Sequence, residues 1–234
     1  MIETTSLVTF YREEEDLHPR FKELFGWYDQ HVVGAIKPES DVKKSIILAG
    51  GALRSFFLDT KLRDWDIYLP NEPLKAFEKA PTTILGSEWR LLAETDLSWT
   101  FKQLVYNTME SVVEDATFNI IKKPQATPQD VITNYDFTVC MCAITADQIT
   151  YHPDYFTDLA TKTLRVNNLE DPLSVMWRLQ KYNRYGFEIG KEDLWKIIEA
   201  IHEIDKLPTV VQEHGWLDGE NMENKSIDMV FRAS

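Results

Sequence analysis

Apolar and polar residues follow two periods along the chain, and each change of period marks a predicted element. Positions 12–35 carry apolar side chains three or four residues apart, which predicts a helix. Residues 45–49 form a short apolar run that ends at two glycines, which predicts a buried strand. Further strands are predicted at 63–69, 99–106 and 112–122, and further helices at 52–58, 73–80, 172–185, 191–204 and 209–219. The apolar run at 137–144 is either a strand that leads into a helix or a buried helix.

This order of elements predicts an α+β protein with two parts. A mixed-sheet head with flanking helices is expected over residues 1–150, and a small helical segment with a C-terminal tail over 151–234. Hydrophobic residues make up 44% of the chain, which is enough for a packed core. No apolar run is long enough to span a bilayer, and the first ten residues lack the pattern of a signal peptide. We therefore expect a soluble cytoplasmic protein without a membrane partner.

Charge and cysteine content narrow the function classes. The formal net charge is −13, and proteins that bind long stretches of nucleic acid usually present a basic face. Extended nucleic-acid binding is therefore not expected, whereas a small substrate, a short RNA 3′ end or a protein partner fits the charge. Cys140 and Cys142 lie in an apolar run without further metal ligands at suitable spacing, so we expect two buried, reduced thiols.

The segment from Gly50 onward has the composition of a phosphate-binding turn. A predicted strand ends at Gly50 and Gly51, and a predicted helix follows directly. Glycines let a phosphate approach the backbone, and the start of a helix offers N–H groups and a favourable dipole. Arg54 lies early in this helix, where its guanidinium can hold phosphate or fix the loop. Taken alone, a Gly-Gly pair usually marks only a turn.

The next predicted strand carries two aspartates, Asp64 and Asp66, at alternate positions. Alternate residues of a strand point to the same face, so Trp65 and Ile67 are expected to point into the core. Two adjacent carboxylates repel each other unless a cation lies between them, and Mg²⁺ prefers carboxylates together with phosphate oxygens. An isolated Asp-x-Asp is usually a solvated turn or strand edge, but here it follows the glycine turn at short range.

Together these residues resemble a family signature. The sequence of residues 50–66 is similar to the motif G-G-x-x-R-D-x-L-L-G-x-x-x-x-D-x-D of the class II transfer-RNA nucleotidyltransferase and bacterial poly(A) polymerase family. That family belongs to the DNA polymerase beta-like nucleotidyltransferase superfamily. The glycines, the arginine and both aspartates align without a gap, whereas Ser55 and Asp59 replace a family Asp and Gly. The resemblance extends over about residues 46–190.

A second resembling segment begins at Asn134. Residues 134–140 are similar to the family's R-R-D-F-T-I-N, but Asn134 and Tyr135 replace its arginines and Cys140 replaces its asparagine. In the family this segment helps to hold ribose and triphosphate, which implies a substrate-binding or site-organising role for Asp136. The alternative from the residues alone is that Asp136 caps the apolar segment that follows.

The resemblance also implies a third carboxylate on a neighbouring strand. Residues 114–118 look like the family's E-V-x-T-F stretch, which would make Glu114 that group. A different strand register would place Asn119 toward the metals, and the third carboxylate would then be lost. A third alternative is that Glu114 is an ordinary exposed strand residue.

Two later segments resemble the junction of the family's head and neck. Residues 158–165 are similar to D-L-x-x-x-x-L-R, to which we assign a structural role. Residues 170–187 are similar to the start of the neck helices, but Ser174, Trp177 and Gln180 replace family arginines. Arg178 is displaced by one position, which turns it by about 100° on a helix. The family's base-selecting arginine is therefore absent.

The resemblance implies transfer of a nucleoside monophosphate from an NTP to an acceptor hydroxyl, either an RNA 3′ end or another acceptor. It implies two Mg²⁺ ions held by Asp64, Asp66 and Glu114, and a triphosphate held by Gly50, Gly51 and Arg54. Two alternatives remain open. The chain is a non-catalytic nucleotide- or partner-binding protein on the same fold, or it is a transferase that modifies a protein or small molecule.

Overall fold

The computed structural model describes residues 6–35, 46–62, 64–79, 85, 89–103, 117–125 and 127–204. Glu114 and the predicted helix at 209–219 lie outside these residues. Within them the chain is an α+β protein, as expected, with one large mixed sheet and flanking helices. None of the described helices is long and apolar enough to cross a membrane.

Eight strands form the large sheet, in the order β1-β8-β7-β2-β3-β6-β5-β4. Neighbouring strands are antiparallel except for β3 and β6, which run parallel. This parallel pair brings a strand from later in the chain against the Asp-x-Asp strand. The strands are β1 (Val8–Tyr11), β2 (Ile47–Ala49), β3 (Asp64–Tyr68), β4 (Trp89–Glu94), β5 (Ser98–Gln103), β6 (Thr117–Ile121), β7 (Cys142–Ile144) and β8 (Gln148–Tyr151).

The described helices pack around this sheet. Two further strands, β9 (Thr163–Leu164) and β10 (Glu188–Ile189), form a small parallel pair and lie before and after the sixth α-helix in the chain. A π-helical turn, Asp29–Val33, extends the first helix, and a 3-10 turn, Thr138–Cys140, precedes β7. The α-helices are α1 (Pro19–Tyr28), α2 (Gly51–Phe57), α3 (Asn71–Lys79), α4 (Pro128–Ile132), α5 (Tyr155–Thr161), α6 (Pro172–Arg184) and α7 (Lys191–His202).

The two faces of the sheet have separate apolar clusters. The larger cluster includes Trp65 and Ile67 of β3 and extends from α1 to α7. The smaller cluster lies on the opposite face, where α4 packs against β2 and β7 through Val131 and Ile132. The alternation of β3 therefore directs its acidic residues to the face of the smaller cluster, outside the main core. Both cysteines are buried and free, as predicted.

Several sequence predictions need correction. The helix predicted over 12–35 begins only at Pro19, because Pro19 favours the first helical turn and His18 caps it by accepting a hydrogen bond from the backbone of Arg20. The segment at 137–144 is a 3-10 turn followed by a strand, and not a helix. The division of the chain at residues 150 and 151 stays a prediction, and β8 spans this position. The helices predicted at 172–185 and 191–204 are confirmed as α6 and α7.

Candidate active site

The acidic pair of β3 has the predicted geometry. Trp65 and Ile67 are fully buried in the main core, whereas Asp64 is exposed and Asp66 is partly exposed on the other face. Alternate strand positions share a face, so the two carboxylates lie side by side at the surface of the sheet. Tyr68 continues the same row toward the smaller apolar cluster.

Strand β6 fixes the orientation of both carboxylates. The parallel register pairs Asp64 with Thr117 and Asp66 with Asn119. The Thr117 hydroxyl donates to Asp64 Oδ1 over 2.8 Å, and Asn119 Nδ2 donates to Asp66 Oδ1 over 3.1 Å. Asn119 is buried, and its Oδ1 accepts from the hydroxyl of Thr100 on β5. A polar ladder therefore crosses three strands beneath the acidic pair.

Asp66 is the more perturbed of the two carboxylates. Desolvation by burial raises its pKa to about 6 from 3.8, and repulsion from Asp64 adds to this effect. The hydrogen bond from Asn119 and the positive charges of Lys181 and Arg54 oppose it. Desolvation and a neighbouring carboxylate both disfavour the ionised form of Asp66. A bound cation would offset this effect, so the pair is a favourable position for a cation.

The donor set of this face fits Mg²⁺ bound together with a nucleotide. Mg²⁺ is usually held by one or two carboxylates, with water and substrate phosphates completing an octahedron. Both hydrogen bonds from β6 engage Oδ1 atoms, on the side of the carboxylates that faces the ladder. Among the described residues no group of three His, Cys, Asp or Glu side chains could hold a metal ion. The predicted third ligand, Glu114, is outside the described residues, and Asn119 takes the register position beside Asp66.

The glycine turn lies directly next to the acidic pair. Ala49 pairs with Asp66 across β2 and β3, and Gly50 follows with φ +78°, a conformation that favours glycine. A Cβ atom on Gly50 would lie 2.5 Å from the Tyr135 hydroxyl, so the absence of a side chain permits this close approach. The same hydroxyl lies 3.2 Å from that of Tyr68. Tyr135, which replaces a family arginine, therefore lines the site.

Arg54 is held inside the protein. Its Nη1 donates to the Tyr182 hydroxyl over 2.9 Å and to Cys140 Sγ over 3.2 Å, and its guanidinium lies 4.8 Å from the Tyr182 ring centroid. Burial acts to lower the pKa of Arg54, but Tyr182 and Cys140 outweigh burial and raise it. Nη2 lies 3.6 Å from the position of a Cβ on Gly51. Of the two roles predicted for Arg54, these contacts favour fixing the loop.

Comparison with known proteins assigns the chain to a family. The model of the Gabija anti-defense 2 family matches residues 19–162, which is more than half of the chain. The chain belongs to the Gabija anti-defense 2 family. The curated protein Gabija anti-defense 2 of Bacillus phage SPbetaL7 is 24% identical over 178 residues, covering 75% of this chain and 40% of that protein. The chain thus spans about two-fifths of the length of this relative.

Solved structures show that this family member has the fold of a nucleotidyltransferase head. The Thermotoga maritima CCA-adding enzyme, complexed with transfer RNA, matches with a TM-score of 0.53 and 18% identity, covering 81% of this chain and 44% of the enzyme. A complex of a CCA-adding enzyme with CTP gives a TM-score of 0.53 and 18% identity, covering 80% of this chain and 43% of that chain. These matches support a nucleotidyltransferase-like fold, whereas the specific class II transfer-RNA nucleotidyltransferase family is not confirmed.

Asp136 of this Gabija anti-defense 2 family member forms an ion pair across the site. Its Oδ2 bonds to Arg178 Nη1 on α6, and burial raises its pKa although Arg178 opposes the rise. The 3-10 turn that follows begins after Phe137 without a side-chain cap, so the capping alternative for Asp136 is wrong. Arg178, displaced in sequence from the family position, therefore reaches the second motif segment.

Sequence reasoning missed the contribution of α6. Tyr182 accepts a hydrogen bond from Arg54, and Lys181 acts to lower the pKa of Asp66, but neither residue matches a motif position. Their spacing from Arg178, three and four residues, is the one signal that could have placed them on the same helix face. Asp158, assigned a structural role, is buried and accepts hydrogen bonds from Thr138 and Arg165.

Proposed function

We propose that this chain is an anti-defense protein that acts by nucleotidyl transfer. The observation that carries the proposal is the side-by-side arrangement of Asp64 and Asp66 on β3, in the fold of a CCA-adding enzyme and next to a glycine turn. The reaction is transfer of a nucleoside monophosphate from an NTP to an acceptor hydroxyl. Such a reaction belongs in the cytoplasm, where NTPs are available.

Each residue of the site has a proposed role. Asp64 and Asp66 would hold two Mg²⁺ ions, with Glu114 as a third ligand. When bound, the metal lowers the pKa of the attacking hydroxyl and neutralises charge on the leaving pyrophosphate. Thr117 and Asn119 keep the carboxylates in place through hydrogen bonds to their Oδ1 atoms.

The substrate side of the site lies toward α2 and α6. Gly50 and Gly51 would let the triphosphate approach the backbone, and Arg54 would keep the turn in position. Asp136 would organise the site through its ion pair with Arg178. The acceptor is an RNA 3′ end, a protein or a small molecule, and the net charge of −13 disfavours extended contact with nucleic acid.

A labelling experiment tests the reaction. The purified protein is incubated with Mg²⁺ and each α-labelled NTP in a lysate of cells that carry a Gabija system. We expect label to enter one macromolecule or small product, and Asp66→Asn to abolish it. Nuclease and protease treatment then separate RNA from protein acceptors. Absence of transfer with all four NTPs, by a folded protein that binds them, would reject the catalytic proposal.

An infection assay tests the anti-defense role. Cells that carry a Gabija system are infected with a sensitive phage while they express the wild-type chain, Asp64→Asn or Asp66→Asn. We expect the wild type to restore plaque formation and both variants to fail at equal expression. Restoration by both variants would show that the carboxylates are not needed for counter-defense.

A second candidate function follows from two replacements at the site. Asn119 stands beside Asp66 where a carboxylate would complete a metal site, and Tyr135 replaces an arginine of the resembling family. These replacements favour a non-catalytic protein that binds a nucleotide or a protein partner. This candidate predicts NTP binding by calorimetry without turnover, together with anti-defense activity that survives Asp64→Asn.

A further inference from the structure

The open side of Gly50 is already filled by a side chain of the protein. A Cβ atom on Gly50 would lie 2.5 Å from the Tyr135 hydroxyl oxygen, and 2.9 Å and 3.2 Å from Cζ and Cε1 of the same ring. Carbon atoms make their best contacts at about 3.5–4.0 Å, so not even a methyl group fits here. A phosphate group is larger than a methyl group, so it cannot reach Gly50 from this side while Tyr135 stays in place.

The backbone of Gly50 also makes its hydrogen bonds within the protein. Its N–H donates to the carbonyl oxygen of Cys142 over 3.1 Å, and its carbonyl oxygen accepts from the Arg54 N–H over 3.2 Å. Gly51 has different surroundings. Outside the local backbone, the one described atom within 4 Å of a Cβ position on Gly51 is Arg54 Nη2, at 3.6 Å. The glycine turn is therefore closed at Gly50 and open at Gly51.

Tyr135 is held through its backbone and through its hydroxyl group. The backbone N–H donates to the Ile132 carbonyl oxygen over 3.2 Å, and the carbonyl oxygen accepts from Asn167 Nδ2 over 2.8 Å. The phenol hydroxyl lies 3.2 Å from the Tyr68 hydroxyl of β3 and shares a hydrogen bond with it. The ring also packs against both apolar clusters. The side chain can therefore leave Gly50 only if it gives up this hydroxyl bond and part of its packing, whereas its backbone bonds can remain.

We propose that Tyr135 keeps the phosphate-binding turn closed, and that a nucleotide binds at Gly50 only after this side chain has moved away. The inference rests on the proposed nucleotide substrate and adds a regulatory step to that site. The apparent affinity of a site is reduced in proportion to the fraction of molecules in which the site is open. Removal of the Tyr135 ring should therefore tighten the binding of ligands that carry phosphate, and it should leave other ligands unaffected.

The test measures the binding of ATP and adenosine by calorimetry with Mg²⁺. We expect Tyr135→Ala to bind ATP about tenfold more tightly than the wild type, because the variant has no ring to displace. Adenosine, which carries no phosphate, should bind to both proteins equally. Tyr135→Phe keeps the packing of the ring but lacks the hydroxyl that lies nearest to Gly50 and bonds to Tyr68. Its gain in ATP affinity should be smaller, about threefold.

A matched control variant is Tyr151→Ala, which removes a ring of the same size from β8. Tyr151 packs against the larger apolar cluster, and β7 and β2 separate its strand from β3, so this variant should bind both ligands as the wild type does. Melting curves show which variants are folded, and Tyr135→Phe carries the test if Tyr135→Ala is not. Unchanged or weaker ATP binding by a folded Tyr135 variant, or an equal gain for adenosine, would overturn the proposal while ATP binding by the wild type still supports the proposed function. Failure of every folded protein to bind ATP would overturn both.

Discussion

Replacement of Asp66 by asparagine should stabilise the metal-free protein at neutral pH. The carboxylate lies beside Asp64 and in surroundings that raise its pKa to about 6 from 3.8. In the folded state its ionisation is therefore opposed, whereas in the unfolded chain it is not. Asparagine has the same shape, and its Oδ1 can accept the hydrogen bond that Asn119 now donates to the carboxylate.

The magnitude follows from the pKa difference. Each unit corresponds to about 1.4 kcal/mol, so a rise from 3.8 to about 6 costs the folded state about 3 kcal/mol when Asp66 is ionised. Partial exposure of the side chain reduces this figure to about 2 kcal/mol through solvent screening. For a chain of this length the variant should melt about 4–8 °C higher than the wild type.

The pH dependence has a definite sign. Because the folded pKa lies above the unfolded one, the folded state binds more protons between pH 4 and 6, and wild-type stability falls as pH rises through that window. The advantage of Asp66→Asn should be complete above pH 6 and vanish near pH 4. Thermal denaturation in EDTA from pH 4 to 8 measures it.

Asp64→Asn is the matched control for this effect. It removes only the repulsion on Asp66 and leaves the desolvation, which is the larger cause of the raised pKa, so its gain should be smaller. A stability difference between Asp66→Asn and wild type that is constant from pH 4 to 8, or a variant less stable than wild type at pH 8, would refute the reasoning.

Three further substitutions test the packing around the site. Gly50→Ala should lower the free energy of unfolding, measured by urea denaturation, by at least about 2 kcal/mol, because φ is +78° and the new methyl group would clash with Tyr135. The part of this loss that comes from the clash should be smaller in a Tyr135→Ala background. Asp158→Ala should lower the free energy of unfolding by about 3 kcal/mol, since it removes a buried carboxylate with three hydrogen bonds. Partly exposed Asp154→Ala should change the free energy of unfolding by less than about 1 kcal/mol. Thr127→Ala should cost about 1 kcal/mol by loss of the capping box of α4, and an unchanged melting curve would contradict that assignment.

The features that sequence predicted best depend on neighbouring residues. The two-residue period of a strand is enough to predict which side chains of β3 share a face. In the structure Trp65 and Ile67 are buried, and Asp64 and Asp66 lie on the other face, as expected. Helix α6 begins where Asp171 accepts from the Ser174 backbone and a proline follows, which is a local signal.

The features that sequence missed depend on distant residues. Strands β1 and β8 are four residues each and pair with one another across more than 130 positions, too short to show a period of their own. The pairing of Asn119 with Asp66 follows from the register of β6 on β3, which only the fold provides. The burial of Arg54 depends on Tyr182, which lies 128 residues later in the chain.

The contact between Tyr182 and Arg54 also limits which fragments of the chain can keep the fold of the site. Fragments that end near residue 150 would cut through β8 and lack Tyr182, which covers the buried guanidinium of Arg54. Phe187 packs against Tyr182, with 6.0 Å between the two ring centroids. A fragment that keeps this contact must therefore extend at least to Phe187.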